Sequence, residues 1–273
     1  MTRRDPYPMT RARRHAQMGR PVNARWFDYE TFRDTMQTAM VELTPLSLKG
    51  RWRFLDLGAG DGRFLRLLLE RFPNARATYF DLRSRPRLAK APERMLKPMR
   101  DRVTLLTGDF SRPGWTAALP HNYHAIFSCE AIHHLLDRTK VRLYRDLLGL
   151  LEPGGVLING EGFKHESPRW AERYYQIRLD EIARNKCQGA LDTKRWRLWR
   201  QWARERYEKT YIERDPTFTD QFVTLDRTLR WLRKAGFEDA AVLWQWLDHA
   251  IIGAFAPERA LASRPPPRPT LCA

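Results

Sequence analysis

The sequence predicts an α/β chain built on a mostly parallel sheet, and three observations predict it. Apolar runs of about five residues alternate with segments of helical length or with turns, the order expected where buried parallel strands are joined by crossovers. The first run passes into three alternating glycines, Gly58, Gly60 and Gly62, in FLDLGAGDGRF. A late helix and two further strands close the chain after a long polar and aromatic stretch.

The elements follow in order. RFLDL is the first strand, and after the glycines LRLLLERF continues as a helix. ATYFD is the second strand; RSRPRLAKAPERMLKP, where the second helix belongs, carries Pro86, Pro92 and Pro98 and should be broken, because an interior proline removes a helical donor and clashes with the preceding turn. VTLLT, HAIFS and GVLINGE are strands three to five. Phe163 to Phe222 is an insertion in which SPRWAERYYQIRLDEIARNK and DTKRWRLWRQWARERYEKTY read as helices. The second carries Trp196, Trp199, Trp202 and Tyr207 near helical spacing, first of all a packing face. In TLDRTLRWLRKAGF, Leu225, Leu229 and Leu232 share one helical face and Gly236 is the stop. AAVLWQWLDHAIIGAFA then supplies two strands broken near His249 and Ala250, an antiparallel end to a seven-stranded sheet.

Composition narrows the function. With 273 residues, 42% hydrophobic and 30% charged, the chain is an ordinary globular protein, and no apolar run approaches the ~20 residues a membrane span requires. A net charge of +17, carried mostly by arginine, attracts phosphates, nucleic acid or acidic small molecules unless it is compositional bias alone. Cys129, Cys187 and Cys272 are far apart and show no CxxC spacing, which fits a reducing cytoplasmic setting and neither a disulfide framework nor a zinc knuckle. Residues 1–25 are basic and 257–273 rich in Pro and Arg, and both are expected as mobile tails flanking one domain over 26–256.

The glycine spacing departs from the dinucleotide fingerprint G-x-G-x-x-G, since Arg63 stands where its third glycine belongs, and no Gly-Lys-Ser/Thr follows to make a P-loop. FLDLGAGDG instead resembles the opening motif of class I S-adenosylmethionine-dependent methyltransferases, a likeness that extends over roughly Phe54 to Ala256. The resemblance implies a Rossmann-like, seven-stranded, mostly parallel sheet with helices on both faces and a helical lid formed by 163–222. It implies S-adenosylmethionine as cofactor, with Asp56, Gly58, Ala59, Gly60 and Gly62 at its methionine part. Asp81 and Leu82 fall at the ribose, Gly108, Asp109 and Phe110 at the adenine, and Ser128 and Cys129 beside the cofactor. A carboxylate suits the ribose because it is acceptor-only when ionised and takes two donors. Each acid, taken singly, equally suits a turn or helix cap.

AIHHL and LLEPGGVLINGE extend the likeness to small-molecule enzymes of the class. An acid–base group is needed only where the acceptor has a proton to lose. His133 is the first candidate for it, with His134 and Glu130 as further catalytic candidates, although either histidine equally suits packing or capping. Glu161, Tyr174, Arg178 and Trp246 are candidates for substrate binding, with Tyr174, Tyr175 and the tryptophans of the insertion shutting water out. Arg169, Arg173 and Arg178 meet an anionic acceptor or form a solvated face. A resident metal on Glu130, His133 and His134 is not expected: Glu-x-x-His occurs once, and H-E-x-x-H is absent. The expected function is methylation of oxygen, nitrogen or carbon on a small molecule. RNA methylation through the basic surface and a cofactor-binding protein without turnover stand as alternatives, and oligomeric state and acceptor are left open.

Overall fold

A computed structural model describes residues 29–82, 90–187, 193–213, 215 and 220–258. The expected tails, 1–25 and 257–273, lie outside them except for Pro257 and Glu258, as does Pro86. The strands are β1 (Arg53–Leu57), β2 (Arg76–Asp81), β3 (Val103–Thr107), β4 (Tyr123–Cys129), β5 (Leu151–Gly162), β6 (Glu238–Trp246) and β7 (His249–Phe255). They form one sheet in the order β3-β2-β1-β4-β5-β7-β6, in which β7 pairs antiparallel with both of its neighbours while the β1–β5 pairings are parallel.

Alternation along each strand divides the core. On one face, Leu55 and Leu57 of β1, Ile126 of β4, Leu157 of β5 and Ile252 of β7 meet Leu143 and Leu147 of helix α4 (Asp137–Leu150) and Leu232 of α7 (Leu225–Ala235). On the other, Phe54, Tyr79, Phe127 and Ile158 meet Met36 and Met40 of α1 (Tyr29–Glu42) and Leu65, Leu68 and Leu69 of α2 (Arg63–Arg71). Phe54 sits edge-on to Phe72 and to Phe127, each at 5.4 Å, an arrangement that adds quadrupole attraction to apolar burial. Thr224 caps α7 by accepting the Arg227 N–H, and Gly236 ends it at φ 108°, as its position in the sequence predicts.

Three details differ from the sequence expectation. α1 has no counterpart there, although Phe32, Met36, Ala39 and Met40 recur at helical spacing; Met36 and Met40 pack where a Cβ on Gly160 would lie 2.6 Å from the Met40 sulfur. The Pro-Gly-Gly turn falls inside β5 as a bulge: Tyr123 pairs Leu151, but Ala125 pairs Val156, with Gly154 at φ 73° absorbing the kink. The region of the second helix is broken as expected, into α3 (Ala91–Met95) and a 3₁₀ segment (Lys97–Arg102), each with a proline at its first turn.

The insertion forms α5 (Pro168–Cys187) and α6 (Thr193–Tyr207), followed by a π-helical turn (Glu208–Ile212). The pair closes on a small core of Ile182 and Ala203 with Tyr175, Leu179, Trp196 and Trp202 around them, and Tyr175 stacks flat on Tyr207 at 4.7 Å. The aromatic stripe is therefore a packing face first. The Trp199 side chain lies outside what is described.

Candidate functional site

The glycine turn leaves β1 under the control of β2. Phe80 O accepts the N–H of Gly58 at 2.8 Å, Asp81 Oδ2 accepts the N–H of Gly60 at 2.9 Å, and the Tyr79 hydroxyl donates to Gly60 O at 2.6 Å. All three glycines have left-handed backbone, and two are also sterically required. A Cβ on Gly58 would meet the Ala131 Cβ at 2.3 Å, and one on Gly62 would meet Leu96 at 3.0 Å. A Cβ on Gly60 would meet nothing within 4 Å among the described residues, so these leave the middle of the turn open. Ala59 is buried between them, and Gly108 has room for no side chain because Phe80 lies 2.5 Å from its Cβ position.

Asp56 lies under this turn, 1% exposed, and its Oδ2 has no hydrogen-bond partner among the described residues. Burial, and next the Asp81 carboxylate, push its pKa up to about 8, with Arg33 opposing. A buried carboxylate without a donor, next to a second carboxylate and beneath open backbone, is the chemistry a bound cation relieves. The ammonium of a methionine moiety is such a group, so these residues fit S-adenosylmethionine.

The adenine candidates stand beside the turn. The Phe110 ring reaches within 3.8 Å of the Gly58 Cβ position and lies edge-on to Trp115. Asp109 accepts the Ser111 N–H at 2.8 Å and Arg112 Nε–H at 3.3 Å; burial pushes its pKa up, but these partners win and hold it below the usual carboxylate range. It caps its own turn here, the use the sequence left open for each acid. Leu82 is exposed. Ser128 is fully buried and donates to Leu57 O across β1 and β4, and Cys129 lies against Gln37 of α1 with burial pushing its thiol up to about 12. Neither of these last two side chains is aimed at the open turn.

The segment after β4 brings the catalytic candidates to the same place. Glu130 leaves the strand with positive φ, and Ala131 packs on Gly58. His133 follows in a 3₁₀ turn (Ile132–His134). The buried Glu161 carboxylate of β5 anchors this segment: Oε1 accepts the N–H groups of Ala131 at 3.0 Å and Ile132 at 2.6 Å, and Oε2 meets His133 Nδ1 at 2.5 Å. An ionised carboxylate only accepts, so Nδ1 carries the proton, and in the neutral ring the lone pair lies on Nε2. Burial pushes the His133 pKa down, but the Glu161 charge and hydrogen bond outweigh it and the net shift is upward. The residue predicted to bind substrate thus orients the predicted base.

A strap closes over this pair. Gln221 N–H donates to His133 O at 2.8 Å, the Lys140 ammonium donates to Gln221 O, and the Phe222 ring stacks on the His133 imidazole at 5.2 Å and 24°. Lys140 is buried, and burial lowers its pKa to about 8 against the charges of Asp137 and Glu161. On the strap, Asp220 lies 3.1 Å from His134 Nδ1 and 3.9 Å from His133 Nε2.

Behind Phe222, the insertion is locked to the sheet. Arg206 lies flat on the Phe222 ring at 3.7 Å and reaches Asp248 at 3.2 Å, and Arg178 pairs with the other Asp248 oxygen. Burial alone pushes Asp248 up, but the two guanidiniums hold it well below the carboxylate range. Gly162 makes this possible: a Cβ there would lie 2.6 Å from Arg206 and 2.8 Å from Phe222. Tyr174, Arg178, Arg206 and Tyr211 line a crevice of about 330 Å³, including solvent at its mouth, between the insertion helices. Trp246 does not line it; it stands half-exposed on the edge strand opposite His249, whose ring is 3.7 Å from Glu130. Arg169 and Arg173 are exposed.

Sequence reasoning missed Lys140, Arg206, Asp220, Phe222 and Asp248. Lys140 left a signal, since it shares the buried helical face of Leu143, Tyr144 and Leu147. The others meet their partners only through the fold.

The family described as methyltransferase domain matches residues 55–157. Among solved structures, the chain is similar to the S-adenosylmethionine-dependent methyltransferase SibL in its apo form, with a TM-score of 0.54 and 18% identity over 84% of this chain and 57% of that one. It is similar to an O-methyltransferase family 2 protein from Planctomyces limnophilus in complex with apigenin, with a TM-score of 0.54 and 17% identity over 82% and 58%. The third is human N-acetylserotonin methyltransferase in complex with S-adenosylmethionine, with a TM-score of 0.52 and 15% identity over 89% and 62%. At these identities the likeness is one of fold, and the chain spans less than two thirds of the length of each of the three. No helix among the described residues is long and apolar enough to cross a membrane.

Proposed function

From the premise that residues 55–157 form a methyltransferase domain of the class I S-adenosylmethionine-dependent type, we propose that the protein methylates a hydroxyl oxygen of a small molecule. The observation that carries this reading is the His133–Glu161 pair, pinned beside the glycine turn through Ala131. Such a pair serves an acceptor that must lose a proton, which a hydroxyl does and a tertiary amine or thioether does not. Two further proteins of similar fold, an O-methyltransferase family protein from Burkholderia thailandensis and the mitomycin 7-O-methyltransferase MmcR, support the same direction.

Bound S-adenosylmethionine supplies a methyl carbon activated by a sulfonium. Asp56 would hold the ammonium of its methionine part, the backbone of Gly58 and Gly60 would allow close approach, Asp81 would accept from the ribose hydroxyls, and Phe110 would pack on the adenine. Asp81 already accepts the Gly60 N–H through Oδ2, which places its carboxylate at the end of β2 beside the turn. His133 Nε2 would take the proton of the acceptor hydroxyl, leaving its oxygen ready to receive the methyl group. The resulting imidazolium is held by Glu161, so charge moves onto a pair prepared for it. Ala131, Phe222 and the insertion keep water from the line of attack.

Titration calorimetry tests the cofactor half of this reading. The wild-type chain is expected to bind S-adenosylmethionine, and Asp81→Ala to bind it about 10- to 100-fold more weakly, as loss of hydrogen bonds to a charged group implies. Equal affinity in the two proteins would remove Asp81 from the ribose site.

A further inference from the structure

We infer that His133, His134 and Asp220 form a three-ligand site for a divalent transition metal ion of the zinc class, whose occupancy takes His133 out of proton transfer. The inhibitory part rests on His133 being the base; the binding part does not.

The three residues converge on one point. One donor atom from each of the three residues lies within 4.8 Å of the other two. His134 Nδ1 and His133 Nε2 stand 3.1 and 3.9 Å from the same Asp220 oxygen. Zinc bonds of about 2.0–2.2 Å place tetrahedral ligands roughly 3.3–3.5 Å apart, a spacing that the two Asp220 distances bracket and that side-chain movements on the order of an ångström complete. Two imidazoles and a carboxylate are the borderline nitrogen and oxygen donors this ion takes, and three protein ligands leave one position for water.

Two further features point to a ligand. The outer partner is already in place: Glu161 accepts from His133 Nδ1 and directs Nε2 at Asp220, the carboxylate–histidine–metal arrangement that fixes ring orientation and raises ligand basicity. The two carboxylates together balance a doubly charged ion. Access is also present, since His133 and Asp220 are 8% and 13% exposed while the His134 side chain is 45% exposed and opens the site on one side. The strap that carries Asp220 is anchored through Gln221 and Phe222, so the carboxylate is held toward the histidines before any ion arrives. The sequence argued against a metal on Glu130, His133 and His134; the fold substitutes Asp220 for Glu130 as the carboxylate.

The test uses the untagged full chain, without cofactor or acceptor, and zinc ion in competition with a chromophoric chelator. One zinc per chain is expected, with binding lost in His134→Ala and Asp220→Asn and weakened about 10- to 100-fold in Glu161→Gln, the effect of losing an outer carboxylate. Cobalt(II) in place of zinc should give the intense visible absorption of four-coordinate geometry in the wild type and not in His134→Ala or Asp220→Asn. Absence of stoichiometric binding, or binding indifferent to His134→Ala and Asp220→Asn, would overturn the site. The inhibitory part is read separately. Zinc should suppress methyl transfer by the wild type, while whatever transfer His134→Ala retains no longer falls on zinc addition. Stoichiometric zinc with undiminished wild-type transfer would overturn that part. Normal transfer by His133→Ala would instead count against the base.

Discussion

Replacing His133 with alanine lowers kcat for methyl transfer by about 10²–10⁴-fold, the range for loss of a positioned general base, with little change in affinity for S-adenosylmethionine. The separation of the two effects follows from the layout. His133 is held through Nδ1 by Glu161, and its Nε2 faces the Asp220 side, whereas Asp56, Asp81 and Phe110 gather around the glycine turn. Loss of the ring also leaves Phe222 without its stacking partner, so the variant should lose a little stability; circular dichroism and a melting curve separate this from the chemical effect. Glu161→Gln removes the charge and reverses the tautomer together. The glutamine oxygen still accepts the Ala131 and Ile132 N–H groups, which turns the amide NH2 toward His133 Nδ1, so the proton moves to Nε2 and an emerging imidazolium has no counter-charge. Its kcat is expected between those of wild type and His133→Ala. Undiminished transfer by His133→Ala would leave the acceptor needing alignment only.

Asp56→Asn should raise the melting temperature of the free protein and weaken cofactor binding, two effects of one buried charge. Burial, and next the Asp81 carboxylate, push the Asp56 pKa in the folded chain from the ordinary 3.8 up to about 8. Between these values the folded state keeps a proton that the unfolded state has lost, so this residue's contribution to stability falls as pH rises through that window, with the full penalty above about pH 8. Asparagine fills the same space without the charge. The variant's advantage should therefore be small near pH 4, grow with pH and reach on the order of a few kcal/mol above pH 8, a rise of several degrees for a domain of this size. Cofactor binding should move oppositely. A carboxylate facing an ammonium contributes more than an amide does, so affinity falls by about 10- to 100-fold. A variant less stable than wild type at every pH, or one that binds the cofactor equally well, would show that Asp56 is not the buried cation partner.

Much of the fold is legible because it is written locally. Five apolar runs, three glycines and the Leu225, Leu229 and Leu232 face each carry their meaning within one element, and all of them form elements as read. α1 escaped although it is written in the helical spacing of Phe32, Met36, Ala39 and Met40, and the bulge in β5 escaped because Pro-Gly-Gly is written alike in a turn and in a kinked strand. The site divides the same way. The glycine turn, Asp56, Asp81, Phe110 and His133 were nominated by the resemblance of their motifs to those of class I methyltransferases, motifs that fall at the ends of parallel strands. Glu161 was nominated for the acceptor, and its hold on His133 depends on β4 and β5 lying side by side. Asp220, Phe222 and Arg206 come from the far side of a long insertion, and nothing in their neighbouring residues announces a stacked and charged cap over an imidazole. Arg178 was named as one of three arginines on α5; only the fold distinguishes it, by the Asp248 it shares with Arg206.

The measurement that tests the central claim most directly is transfer of labelled methyl from S-adenosylmethionine into a cell extract separated into small-molecule, RNA and protein fractions. The account predicts label in the small-molecule fraction, released by reagents that cleave methyl ethers or esters, and lost in both Asp81→Ala and His133→Ala. Label in RNA or protein, or no transfer by a chain that binds the cofactor, would contradict it.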